Sequence, residues 1–190
     1  MKPLLHGVRV LCLLALAGVA GLAHALTVAQ LQALLQAAPR PDARYEETRE
    51  SPWLSAPVTT RGTLHVTPQS LEKRVEEPRQ ETWRMLEDRL EWEGPGGAGR
   101  KQIFFRSTPA LQALADATRR AVAGDLIALQ RDFTIVVSGD EHVWSAQLQP
   151  RASAGSRQID TVQLQGTGGQ LRVLIVTDRQ GERTTTRILP

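Results

Sequence analysis

Apolar residues along this chain keep two different periods, and the switches between them mark its elements. After Thr27, a residue suited to capping a helix, Val28, Leu31, Leu34 and Leu35 recur at helical spacing until Pro39 and Pro41 end the run. From Ala43 to Arg106 the runs shorten and are punctuated by proline and glycine, the texture of antiparallel strands. Leu64 and Val66 face one way across Thr63 and His65, while Leu71, Lys73 and Val75 share a side that is apolar except for the lysine. Trp83 with Met85, then Leu90 with Trp92, continue the alternation. Gly94 to Gly99 supply a loose turn before Gln102 to Phe105 resume a strand.

The helical period returns between Thr108 and Gln130. Thr108 suits the cap, Pro109 the first turn, and Leu111, Leu114, Ala115, Thr118 and Val122 make one face, with a break at Gly124-Asp125. Alternation then resumes at Phe133, Ile135 and Val137, at His142, Trp144, Ala146 and Leu148, and in strands around Val162 to Leu164, Leu171 to Val176 and Thr184 to Leu189. Arg151 to Ser156 read as a flexible connection within the sheet. The class this predicts is α+β: a highly curved antiparallel sheet whose concave face is covered by helices.

The opening of the chain has a different pattern. Lys2 and Arg9 precede an uncharged apolar run from Val10 to Ala23, and Ala23-His24-Ala25 place small residues at the −3 and −1 positions of a cleavage site. We read residues 1–25 as a signal peptide cut after Ala25, too short in its apolar part to span a bilayer, and residues 26–190 as one domain. Cys12 lies inside the signal, so the exported domain holds no disulfide and no thiolate chemistry. Removing Lys2 and Arg9 from the 23 basic residues leaves one more than the 20 acidic ones. A near-neutral surface excludes the electrostatic footprint of a nucleic-acid binder.

Candidate chemistry is sparse. His65 and His142 lie far apart in separate predicted strands, without the paired spacing of a zinc site, and no serine occupies a nucleophile elbow. The glycine-rich run lacks the Gly-Lys-Ser/Thr ending of a phosphate loop. Glu46-Glu47 with Glu50, Glu76-Glu77 and Asp140-Glu141 read as solvated charge. Trp53, Trp83, Trp92 and Trp144 can line a cavity or fill a core, and the core is the favoured place. The expectation is a protein that is no enzyme, with no cofactor and no metal.

Several of these pieces, in order, resemble the periplasmic outer-membrane lipoprotein carrier family, LolA. They are the opening helix, Arg61-Gly62-Thr63-Leu64-His65-Val66-Thr67-Pro68 leading through Leu71 to Pro78, Leu111 and Leu114 before Gly124-Asp125, Leu129 and Phe133, and Trp144 to Pro150. The resemblance implies an incomplete antiparallel barrel, a half-barrel closed by helices over an apolar cavity that takes up acyl chains. It implies as partners an acylated lipoprotein or lipid cargo, an inner-membrane donor complex and an outer-membrane acceptor, with the carrier a monomer. Cavity candidates are Leu64, Val66, Leu71, Trp83, Leu111, Leu114, Phe133 and Trp144.

One departure stands out. Typical members carry an arginine before the proline of the strand turn, where it holds the lid, and this chain has Thr67. A hydroxyl cannot supply the forked donors of a guanidinium. This points to a divergent branch, in which the cargo is another lipid or a polyene-type acyl chain, or in which the fold senses lipoproteins instead of carrying them.

Overall fold

A computed structural model of the chain describes residues 26–38, 42–67, 69–151 and 158–189. The signal-peptide reading, Pro39, Pro41, Pro68 and the connection at 152–156 lie outside the described residues.

The first helix, α1 (Val28–Ala37), begins as its sequence requires. The Gln30 amide donates to Thr27 Oγ1 at 3.2 Å and the Thr27 amide to Gln30 Oε1 at 2.9 Å, a reciprocal capping box that satisfies donors the helix cannot. Leu31 and Leu35, one turn apart, are its buried contacts.

Eleven strands among the described residues form one antiparallel sheet. They are β1 (Ala43–Glu50), β2 (Val58–Val66), β3 (Leu71–Glu77), β4 (Glu81–Met85), β5 (Arg89–Glu93), β6 (Arg100–Phe104), β7 (Phe133–Gly139), β8 (Val143–Pro150), β9 (Ile159–Thr167), β10 (Gln170–Asp178) and β11 (Arg183–Ile188). The order is β6-β5-β4-β3-β2-β1-β11-β10-β9-β8-β7: two meanders joined where the first strand pairs with the last, in register at Glu47 and Thr186. The sheet does not close, and β6 and β7 are its two edges.

That topology dictates where the helices go. β6 and β7 are consecutive in the chain yet lie at opposite edges, so the segment between them must cross one face of the sheet. It does so as α2 (Pro109–Val122) and α3 (Leu126–Leu129), separated at Gly124 as the sequence predicts. On that face the strands present their apolar positions. Leu31, Leu35, Ala117, Ala121, Leu126 and Leu129 of the helices pack with Phe133, Trp144, Ala146, Leu148, Val162 and Leu164 of β7 to β9 in the largest cluster.

The structure differs from the sequence reading in four places. Phe105 leaves the strand for a buried 3-10 turn, Phe105–Ser107, because its side chain packs under α2 beside Leu90 and Ala115. Thr108 does not cap α2; its hydroxyl turns back to the Phe104 carbonyl. His142 precedes β8 in an exposed turn, where Asp140 accepts the amides of His142 and Val143 at 2.8 and 3.0 Å; these two bonds hold the Asp140 carboxyl below its ordinary range. Trp53 sits at the β1–β2 hairpin tip, 80% exposed, and is no part of the core.

Candidate functional site

The cover of the sheet is unusually small-residued. Buried positions of α2 are Ala115, Ala117, Arg119 and Ala121. Leu111 and Ala115 join a cluster with Leu90, Phe105, Trp83 and Met85. Val122, at the other end of the helix, joins Tyr45, Leu64, Leu71, Val66 and Ile188. Arg119 carries charge into this layer: its side chain is 6% exposed and donates to Asp116 Oδ1, one turn back, at 2.8 Å.

Beside Val122 the cover leaves a cavity of about 260 Å³ between the ends of α1 and α2 and the sheet. Its apolar lining is Leu35, Val66, Val122, Leu171, Ile188 and Leu189. Asp42, Arg44, Gln170 and Arg172 complete the lining, so the space is open and part charged, and its aliphatic part is where hydrocarbon would sit in preference to water.

Further along the same face the lining turns polar. Lys73 Nζ donates to Glu47 Oε1 at 2.5 Å, and the Thr186 hydroxyl donates to Glu47 Oε2 at 2.8 Å. The Lys73 ammonium also lies 5.1 Å from the centre of the Tyr45 ring, within cation–π range. On β4, the neighbour of β3, Glu81 accepts both indole N–H groups of Trp83 and Trp92, at 2.8 and 2.9 Å. The Tyr45 and Thr60 hydroxyls are buried against each other, and neither reaches a further hydrogen-bonding partner. Burial pushes the Tyr45 hydroxyl well above the usual phenol range, against a loose contact with Thr60 and with help from the charges of Glu47 and Glu81.

The candidates named from sequence fall on this face but do not converge on one point. Leu64, Val66 and Leu71 belong to the cluster under Val122, and of these Val66 lines the cavity. Trp83 and Leu111 meet in the cluster nearer the β6 edge. Phe133 and Trp144 are buried in the largest cluster, Trp144 with its indole N–H on the Gly168 carbonyl at 2.8 Å. Leu114 is 36% exposed, on the flank between the two packed sides of α2.

Glu47 was missed, having been read as solvated charge. The signal was its spacing: Tyr45 and Glu47 share a side of β1, and the lone lysine of β3 needs a counter-charge. Leu35, Leu171, Ile188 and Leu189 of the cavity were missed because they come from three elements far apart in the sequence: α1, the start of β10 and the end of β11. Among the described residues no three His, Cys, Asp or Glu side chains are grouped as a metal needs; His65 pairs at the surface with Asp42.

An open antiparallel sheet whose long edge-to-edge connection folds back as helices over an apolar cavity defines a class of α+β binding folds. The chain belongs to the outer-membrane lipoprotein carrier LolA-like family, whose sequence pattern matches residues 20–189. Among solved structures it is similar to a LolA superfamily protein from Nitrosomonas europaea, with 10% identity, a TM-score of 0.46, and coverage of 87% of this chain and 93% of that one. It is also similar to a domain assigned to outer-membrane lipoprotein sorting from Vibrio parahaemolyticus, with 12% identity, a TM-score of 0.43, and coverage of 86% and 89%. No curated protein sequence matches the chain.

Proposed function

We propose that this protein is an exported periplasmic carrier that shelters the acyl chains of a lipoprotein or lipid on the helix-covered face of a half-barrel. It accepts cargo at the inner membrane and gives it up at the outer, acting as a monomer by shelter and hand-over with no covalent step. The observation that carries the proposal is the cavity beside Val122, aliphatic in part and bordered by charged residues, at the join between the α1 and α2 ends and the sheet, in a chain of this family. Each methylene transferred from water is worth about 0.8 kcal/mol, so acyl chains alone hold a cargo tightly once α2 moves aside.

The test is uptake of a fluorescent sixteen-carbon acyl probe by the purified protein, followed by release of acylated lipoprotein from spheroplasts. Saturable probe binding that Ile188→Asn abolishes supports a carrier, since a neutral amide gains no ion pair from Arg44 or Arg172 and spoils the aliphatic part of the lining. Binding of probe without release of lipoprotein points to another lipid as cargo. Failure of the probe to bind at all overturns the reading.

A further inference from the structure

The charged row next to the cavity has no role in sheltering hydrocarbon, and burying it costs desolvation that an aliphatic lining avoids. Its hydrogen bonds are unevenly spent. All four carboxylate oxygens of Glu47 and Glu81 accept: from Lys73, Thr186, Trp83 and Trp92 in turn. The donors are not used up. The Tyr45 and Thr60 hydroxyls have only each other, which commits one of their two O–H groups, and the ammonium of Lys73 has three N–H groups of which one is committed to Glu47.

We infer that Lys73, Tyr45 and Thr60 form a station on the helix-covered face that reads the neutral carbonyl of an acyl ester or amide at the head of the cargo. This rests on the carrier reading above and assigns the chemistry that reading leaves open. The head is an acceptor, because spare donors face it. It is uncharged, because Lys73, the cation of the row, is already neutralised by Glu47. A free fatty-acid carboxylate finds no uncompensated cation there and would be buried as a bare charge, whereas an ester or amide of the same chain is not. Val122 packs in the cluster that holds Tyr45, so displacing α2 for the chain also uncovers the tyrosine.

Both an acylated cysteine and an acylglycerol present this carbonyl, and separate arms of one experiment tell them apart. Binding of methyl laurate, laurate and dodecane is measured by displacement of the fluorescent probe, with a palmitoylated lipopeptide and a monoacylglycerol as the two natural sources. The protein is compared with the Tyr45→Phe, Thr60→Val double variant, which removes both hydroxyls and strands no charge.

The expected result is that the unaltered protein binds the methyl ester at least tenfold tighter than the acid. The double variant loses about tenfold for the ester and for whichever natural source binds, while dodecane is unchanged and the fold is at least as stable. Equal binding of ester and acid, or an ester affinity unmoved by the double variant, overturns the station. Failure of every probe, dodecane included, overturns the carrier reading instead, so the two failures are distinct.

Discussion

Trp144 and Gly166 are register partners on β8 and β9, so close that a Cβ on Gly166 would fall 2.1 Å from Cζ2 of the indole. The ring lies across the glycine and its N–H reaches the Gly168 carbonyl beyond it. This pair fixes the β9–β10 hairpin against the largest cluster, and it explains why a glycine stands inside an apolar strand.

Gly166→Ala should therefore destabilise the protein by about 2 kcal/mol, in the range typical of overpacking. Urea denaturation followed by tryptophan fluorescence measures it, and a change within error would show that the indole can rotate away at no cost.

Leu111 and Leu114 differ by three residues and by everything that touches them. Leu111→Glu puts a carboxylate among Leu90, Phe105 and Trp83 and should cost about 1–3 kcal/mol or release α2. Leu114→Glu, on the exposed flank, should stay within about 0.5 kcal/mol of the parent. Thermal melts of the two variants side by side decide whether α2 faces the sheet as described.

Lys73 and Glu47, with side chains 17% and 20% exposed, should be coupled. Lys73→Met leaves the Glu47 carboxylate with Thr186 alone and should cost about 1–3 kcal/mol. Adding Glu47→Leu should recover most of that loss, because removing both partners spares the stranded charge. A double-mutant cycle with no coupling between the two would contradict the pairing.

On the opposite face, Glu72 joins Arg74 and Arg84 at 2.6 Å each. Burial raises its carboxyl, but the bonds and charges of Arg84 and Arg74 outweigh that and hold it below the ordinary range. A lowered folded-state value gives stability that is present above the unfolded value, about 4.3, and is lost as the pH falls through the folded one. Glu72→Gln should be less stable than the parent by up to about 1 kcal/mol at pH 7, with the gap closing below pH 4. Denaturation midpoints across that range test it.

Local patterning made most of the fold legible. Thr27 announces α1, Gly124 divides α2 from α3, and the two-residue period of Leu71, Lys73 and Val75 places them on one side of β3, as observed. What the pattern hid is long-range. That Tyr45 and Glu47 lie beside Thr186 depends on β1 pairing with β11, a contact between the two ends of the domain that no local period reports. Trp53 was misplaced for a related reason: hydrophobicity argues for burial, yet a two-ended hairpin tip has no neighbour to bury it.

The alanines of α2 have a kinetic consequence. A helix held to its sheet through Ala115, Ala117 and Ala121 parts from it far more cheaply than one held by leucines, while the β7 to β10 cluster keeps its own large side chains when it goes. In hydrogen exchange, the amides of α2 should open as a unit ahead of those of β8 and β9. For the carrier proposed above, entry of a ligand would be timed by the breathing of a single helix, with the sheet beneath it a rigid template throughout.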